Sequence, residues 1–234
     1  FAGFSLLLLF ATMVLLKSTG ALALMLMGLL LMAGMRLVPT GLPVRVLMVI
    51  PLLYVTTRST ALWDGRNLVD AAARVASEER AGSLSYRIYN ETILSDHAWQ
   101  RPLLGWGGWK RSFVTNAEGE ILSVPDGMWI LAFGKNGYIG LYALMLVFVT
   151  PVALFLRHYP PKRWREPEVF AVLALPVLML LFALDSLLND MFNPLMLLLG
   201  GGMVGMYLRA DPGEEAPEGE NASETALSPL PRLL

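Results

Sequence analysis

The chain contains no cysteine, which excludes disulfides, thiolate nucleophiles and cysteine-ligated metals and leaves the redox compartment open. Charge is scarce too. Only 16% of its 234 residues are Asp, Glu, Lys or Arg, and they balance to −1, so the basic surface that nucleic-acid phosphates demand is missing. Apolar residues take up the difference: 55% of the chain is hydrophobic and the mean hydropathy is +0.55, too apolar for an ordinary soluble domain of this length. Lipid is the expected solvent.

A helix needs about 20 apolar residues to cross a hydrocarbon core about 30 Å thick. Candidate spans lie at 3–16, 20–38, 43–57, 127–156, 169–188 and 190–208. The third carries Pro51, which a span tolerates when neighbouring helices satisfy the freed carbonyl. The expected fold is therefore all-α, a polytopic transmembrane bundle of about six spans with a helical extracytoplasmic loop. Spans occupy 1–57, the large loop 58–125, further spans 126–208, and a cytoplasmic tail 209–234. That tail is rich in Pro, Glu, Ser and Ala, cannot bury a core, and is expected to be disordered. Because the chain opens on Phe1 and runs straight into apolar sequence without a basic segment, earlier helices are expected upstream. A cleaved signal peptide is disfavoured, since Lys17-Ser18-Thr19-Gly20 is a poor cleavage site and more apolar sequence follows at once.

Orientation follows from Lys and Arg, which accumulate on the cytoplasmic side in short loops. The connection Arg157-His158-Tyr159-Pro160-Pro161-Lys162-Arg163-Trp164-Arg165 carries the strongest bias, and placing it inside also places Arg36 and Arg45 inside. Residues 58–125 and the turn at Asn189-Asp190 then fall outside, with Lys17 the one dissenting charge.

A loop of about 68 residues exceeds a simple connector and is expected to be functional. Its pattern predicts helices at 66–80 and 84–99, the second with Leu84, Ile88 and Leu94 among polar residues. A Gly/Trp turn follows, Gly105-Trp106-Gly107-Gly108-Trp109, whose aromatics suit lipid headgroups better than sugar rings on composition alone.

The stretch from Ser83-Leu84-Ser85-Tyr86-Arg87 through Asp96-His97-Ala98-Trp99-Gln100-Arg101-Pro102-Leu103-Leu104-Gly105-Trp106-Gly107 resembles the signature of the O-antigen ligase and polysaccharide polymerase superfamily. That signature has an Arg at the head of an outer-loop helix, a Pro-Leu-Leu-Gly-x-Gly-like turn, a polar residue opening the next span, and glycines about ten residues on. Here the last part reads Pro125-Asp126-Gly127-Met128-Trp129-Ile130, then Gly134-Lys135-Asn136-Gly137-Tyr138-Ile139-Gly140. The resemblance covers roughly 58–208 and implies a metal-independent, inverting transferase. It would take an undecaprenyl-pyrophosphate-linked glycan at the outer face of a bacterial inner membrane and pass it to another glycan or a lipid core.

In that chemistry charge develops on the departing pyrophosphate, and preorganised donors there lower the barrier. Arg binds phosphate oxygens with a fixed fork and stays charged, and the resemblance gives this role to Arg87. The alternative for Arg87 is an i to i+4 pair with Glu91 on a solvated face, worth only about 0.2–0.5 kcal/mol. Arg101, Lys110 and Arg111 flank the turn, either as cations for the pyrophosphate or acidic sugars, or as a rim on lipid phosphates. The attacking hydroxyl needs a base, typically worth about 10² to 10⁴ in rate. Family ligases carry His where this chain has Asp126, a departure that favours polymerase over ligase. Asp126 is read as that base or as an N-cap for the helix from Met128, two roles that are compatible. His97 is a further candidate for substrate contact, though a lone loop His is more often structural.

Other features carry blander readings. Asp185, Asn189 and Asp190 at a span end are expected to snorkel to water. Glu118-Gly119-Glu120 is read as a hairpin-like turn lacking a third ligand, so no metal and no cofactor is expected. Gly134, Gly137 and Gly140 are read as permitting close helix packing. The competing function is a transporter or flippase for lipid-linked or small anionic substrates, which usually places charges and broken helices at mid-membrane. A purely structural membrane protein is the third reading, and it predicts that every outer-loop Arg is dispensable.

Overall fold

The computed structural model describes residues 2–15, 18–75, 77–108, 110–190 and 192–209. Lys17, Trp109 and the tail beyond residue 209 lie outside the described residues, and with them the dissenting charge, part of the Gly/Trp turn and the expected disorder. The described residues form helices and connecting turns, with one isolated antiparallel bridge, Thr115 to Ile121. Helices α1 (Ala2–Leu15), α2 (Thr19–Leu37) and α3 (Leu42–Ser59) precede a polar segment containing α4 (Arg66–Val75) and α5 (Glu78–Ala98). After it come α6 (Met128–His158), a 3₁₀ turn at Pro161–Arg163, α7 (Pro167–Val172), α8 (Ala174–Asp185) and α9 (Leu195–Arg209).

Among the described residues four segments are long and apolar enough to cross a membrane: α2, α3, α6, and α7 with α8 taken together as Pro167–Asp185. The expected count was about six. Helices α1 and α9 are apolar but only 14 and 15 residues long, roughly 21–23 Å at 1.5 Å per residue, against a core of about 30 Å. Pro51 stands buried inside α3, as a span packed by neighbours allows.

Helix α6 is the hub, packing on α9, α8, α5 and α3, while α8 also contacts α2 and α3. Its apolar stripe of Trp129, Phe133, Leu141, Phe148, Val152 and Phe155 is buried with Val177 and Leu180 of α8. By contrast, α1 and α2 leave Leu7, Leu9, Leu26, Leu29 and Leu30 exposed, an apolar surface suited to lipid rather than water.

The basic residues of the short connections gather at one end of the bundle. Arg165 donates to the Leu37 carbonyl at 3.1 Å, and the Arg36 guanidinium lies 5.0 Å over the Phe170 ring. The 37–42 turn and the 158–167 connection therefore share that end, and the polar segment between α3 and α6 occupies the opposite one, called here the loop end.

The helices of the polar segment differ from expectation at their boundaries. One helix was expected to run to residue 80; α4 ends at Val75, and α5 begins at Glu78, well before residue 84. Ser77 in extended conformation starts α5, with Glu78 and Glu79 complementing the helix dipole in its first turn.

Gly137 breaks α6. Its φ of 65° and ψ of −162° are outside the helical region, in a conformation only glycine adopts readily. The Pro102–Gly107 turn fills the break: the amides of Trp106 and Gly107 donate to the carbonyls of Gly134 and Lys135 at 2.9 Å each, and Tyr138 donates back to Pro102 at 2.7 Å. A Cβ at Gly137 would lie 2.3 Å from the Leu103 backbone, and one at Gly105 would lie 2.5 Å from that of Lys135. The glycines thus admit a loop rather than a second helix, correcting the packing expected for Gly137. Gly134 similarly faces Ser112 of the loop, where a Cβ would sit 3.0 Å away. Residues 138–158 still span about 31 Å, enough to cross a bilayer alone, so the break belongs at the loop-end boundary rather than at mid-span.

Candidate functional site

Helix α5 is the platform on which both polar clusters of the loop end are built. On its inward face Glu91 is almost fully buried, and its two oxygens accept from three side chains. Tyr54 Oη donates to Oε2 at 2.8 Å, Arg58 Nε to the same oxygen at 3.2 Å, and Trp129 Nε1 to Oε1 at 3.1 Å. Arg58, 4% exposed, spends its other donors on the carbonyls of Trp63 and Ile88 and on Thr92 Oγ1. Burial pushes the Glu91 carboxyl upward, opposed by the hydrogen bonds from Trp129 and Tyr54 and by the Arg58 charge. The cluster ties α3, α5 and α6 together, with no unsatisfied buried side-chain atom among the described residues.

That arrangement overturns the pairing of Arg87 with Glu91. Glu91 lies one turn along α5 but points inward, so the surface pair cannot form. Arg87 is half-buried, and its Nη1 donates to the Leu188 carbonyl and to Asn189 Oδ1, the latter at 2.8 Å. Asn189 in turn donates to Asp185 Oδ1 at 2.8 Å. Asp185 and Asn189 therefore do not simply snorkel; they anchor the arginine to the turn after α8. Among the described residues no protein group accepts from Arg87 Nε or Nη2. Arg87 borders an open cleft of about 580 Å³ lined also by Arg80, Asp185, Asn189 and the first turn of α2, Ser18 to Gly20.

Asp126 meets the same turn from the other side. The Met128 amide donates to the Ser186 carbonyl at 2.9 Å, a Cβ on Gly127 would lie 2.4 Å from the Leu187 carbonyl oxygen, and Asn90 Oδ1 accepts from the Val124 amide at 2.8 Å. The 186–189 turn is thus pinned between α5 and the start of α6, with Arg87 bonded to it and Asp126 next to Gly127 in the chain. The N-cap expected of Asp126 does not form: Gly127 occupies that position, no side chain caps the helix, and the Ser186 carbonyl takes the leading amide instead. Asp126 is left half-buried without a hydrogen bond of its own.

The other predicted residues gather elsewhere, at the far end of α5. His97 stacks on Trp106 with centroids 4.4 Å apart and planes 1° from parallel, and its Nε2 lies 3.2 Å from the Arg111 carbonyl. Arg101 covers Trp106 at 4.5 Å, and Trp106 Nε1 donates to the His97 carbonyl at 3.0 Å. Lys110 and Arg111 are exposed, Lys110 with a φ of 68°. His97 and Arg87 are ten residues apart on one helix, about 15 Å. These four residues form a separate aromatic and cationic patch, and they do not line the Arg87 cleft.

The chain matches no protein-family model, no curated protein and no solved structure. The site must be read from its own geometry. Sequence reasoning missed Arg80 as a neighbour of Arg87, although their spacing of seven residues, two helical turns, puts both on one face of α5. It also missed the Arg58–Glu91 pair, whose one available signal was an arginine closing an apolar span. Glu118 and Glu120 lie on the expected hairpin-like turn, held by Asn116 Oδ1, which accepts from both amides at 3.1 and 2.8 Å. Among the described residues no group of three His, Asp or Glu side chains is placed to hold a metal ion.

Proposed function

We propose that this membrane protein is a glycosyltransferase of the O-antigen ligase and polymerase type, acting on undecaprenyl-pyrophosphate-linked glycan at the periplasmic face of a bacterial inner membrane. The observation that carries the reading is the Arg87 cleft. A half-buried arginine is held through one nitrogen, keeps two donor groups open, and shares its cleft with a second arginine, Arg80, and the Asp185 carboxylate. Such a fork is suited to phosphate oxygens. The acceptor hydroxyl attacks the anomeric carbon, the bond from that carbon to the pyrophosphate oxygen breaks, and the pair of electrons leaves on the lipid pyrophosphate beside Arg87. The proton of the hydroxyl passes to Asp126, whose carboxylate has no competing hydrogen bond. Asp126 in place of the family's His favours polymerisation of glycan over transfer to a lipid core. The placement is supported by the basic residues of the short connections at the opposite end, because Lys and Arg accumulate on the cytoplasmic side in short loops.

Transport of a lipid-linked or small anionic substrate is the second reading, and the break at Gly137 favours it. Against it, the break is filled by the protein's own turn and lies at the loop-end boundary, whereas transport sites sit near mid-membrane.

The deciding experiment is the length distribution of surface glycan, read on gels, in cells carrying Arg87→Ala or Asp126→Ala with membrane levels of the protein matched. Loss of long chains with single-unit glycan still attached is expected. Loss of all attached glycan makes the protein a ligase, and an unchanged distribution in both variants removes the transferase reading.

A further inference from the structure

The turn that fills the break in α6 carries two neighbouring leucines, Leu103 and Leu104, that are 67% and 73% exposed. Adjoining apolar side chains left this open mark a contact with a partner or a membrane rather than with water. Backbone bonds fix their depth. Tyr138 donates to the Pro102 carbonyl at 2.7 Å and Ile139 to the Leu103 carbonyl at 3.4 Å, and these two residues open the stretch 138–158 that is long enough to cross a bilayer. The turn is therefore level with the first residues of a span. Trp99 and Tyr138 agree with that level: Trp99 Nε1 and Tyr138 Oη both donate to the carbonyl of Ser59, the last residue of α3, at 2.6 and 3.3 Å. Trp and Tyr gather at the headgroup level of a bilayer. Along α6 below the turn, Ile139, Tyr142 and Leu146 recur at helical spacing and are exposed, an apolar stripe suited to lipid, and the bond from Ile139 to Leu103 joins the turn to its upper end.

Two cations accompany the leucines. Arg101 precedes the turn and lies over the Trp106 ring at 4.5 Å, and Lys135, whose carbonyl accepts from the Gly107 amide, is exposed three residues before Tyr138. Neither has an ion pair among the described residues. We propose that the 99–107 segment, read from sequence as part of a loop outside the membrane, is a wedge set into the leaflet at the loop end. Leu103 and Leu104 lie among acyl chains, and Arg101 and Lys135 hold the phosphates of anionic phospholipids. Bilayer lipid is the occupant because the leucines continue a lipid-facing stripe at the depth of a span, and because both unpaired cations stand at the boundary where phosphates are found. Long basic side chains near a span end reach for that boundary while their stems stay in apolar surroundings. The wedge fixes the turn against α6 from the lipid side, as its bonds to Gly134 and Lys135 do from within. It rests on the membrane character of the chain and not on the transferase reading.

The chain contains no cysteine, so a single introduced one carries a spin label alone. With the protein in nanodiscs containing phosphatidylglycerol, a label at Leu104→Cys is expected to collide with oxygen and to be shielded from a water-soluble nickel chelate. It should match a label at Leu146→Cys on the lipid-facing stripe and oppose one at Glu118→Cys on the exposed hairpin-like turn. Leu104 is exposed, so its replacement leaves the packing intact. Access of the chelate to Leu104 equal to that at Glu118 overturns the insertion. Shielding from both reagents shows protein over the patch, a second copy or another partner, and overturns lipid as the occupant. Headgroup contact is read from the lipids retained on the purified protein, phosphatidylglycerol against phosphatidylcholine. Arg101→Gln with Lys135→Gln is expected to lower that preference about fivefold or more, and Lys135→Gln alone, which removes no hydrogen bond or ion pair among the described residues, about twofold or more. An unchanged preference in both variants overturns the phosphate contact.

Discussion

Two arginines meet α5 at the loop end, and they differ in what is left over. Arg58, reaching in from α3, is 4% exposed and divides its donors among Glu91, Trp63, Ile88 and Thr92. Arg87, one turn earlier on α5 than Glu91, is only half-buried and commits one nitrogen to Leu188 and Asn189. A buried charge must be paired and hydrogen-bonded or it costs several kcal/mol. Once those bonds are complete, nothing remains to recognise a ligand. Availability, not residue type, separates the structural arginine from the one suited to bind.

The comparison is sharpest if the two arginine sites are broken in turn. Replacing Glu91 by Ala leaves Arg58 buried and unpaired, and a loss of about 3–5 kcal/mol in stability is expected. Thermal unfolding in detergent would register it, and a shift no larger than that of a surface substitution would contradict the structural role. Arg87→Ala should do the reverse, costing little stability while lowering glycan transfer by about 10² to 10³, the loss usual for a donor that stabilises developing charge. Comparable thermal losses in both variants would erase the distinction between the two arginine sites.

Smaller effects are expected where α5 ends. Gly137→Ala forces a side chain into the Leu103 backbone at a positive φ, and about 1–3 kcal/mol of strain is expected, with the 102–107 turn displaced from α6. Protease sensitivity of the loop would report that displacement. Trp106→Ala removes both the His97 stack and the Arg101 contact, for about 1–2 kcal/mol in unfolding measurements. Smallest of all, Lys110→Gly relieves a left-handed backbone worth about 1 kcal/mol, offset in part by the freedom glycine gains when unfolded. Should the Lys110 charge contact glycan, that variant would transfer more slowly despite equal or better stability; a rim on lipid leaves the rate unchanged.

Much of this was open to reading in the chain itself. Long apolar runs marked α2, α3, α6 and the α7–α8 segment because nothing else in the sequence could satisfy a bilayer, and the cluster from Arg157 to Arg165 marked one end of the bundle. The pattern of Leu84, Ile88 and Leu94 marked a helix in the loop. About six spans were expected; among the described residues four segments are long enough to cross, and α1 and α9 are apolar but 14 and 15 residues long. One contact escaped. The partner of Arg87 was sought one turn away on its own helix, at Glu91, where sequence spacing makes contact easy.

The sequence by itself determined a helical membrane protein with its polar residues concentrated between two sets of apolar helices, because hydropathy and charge act locally and additively along the chain. Only the tertiary structure decided which of those polar residues are spent and which are free. Glu91 finds Arg58 across 33 positions and Arg87 finds Asn189 across 102, and the 102–107 turn fills a break opened by Gly137. Such pairings depend on how helices are rotated against one another in space, and no local pattern along the chain encodes that rotation.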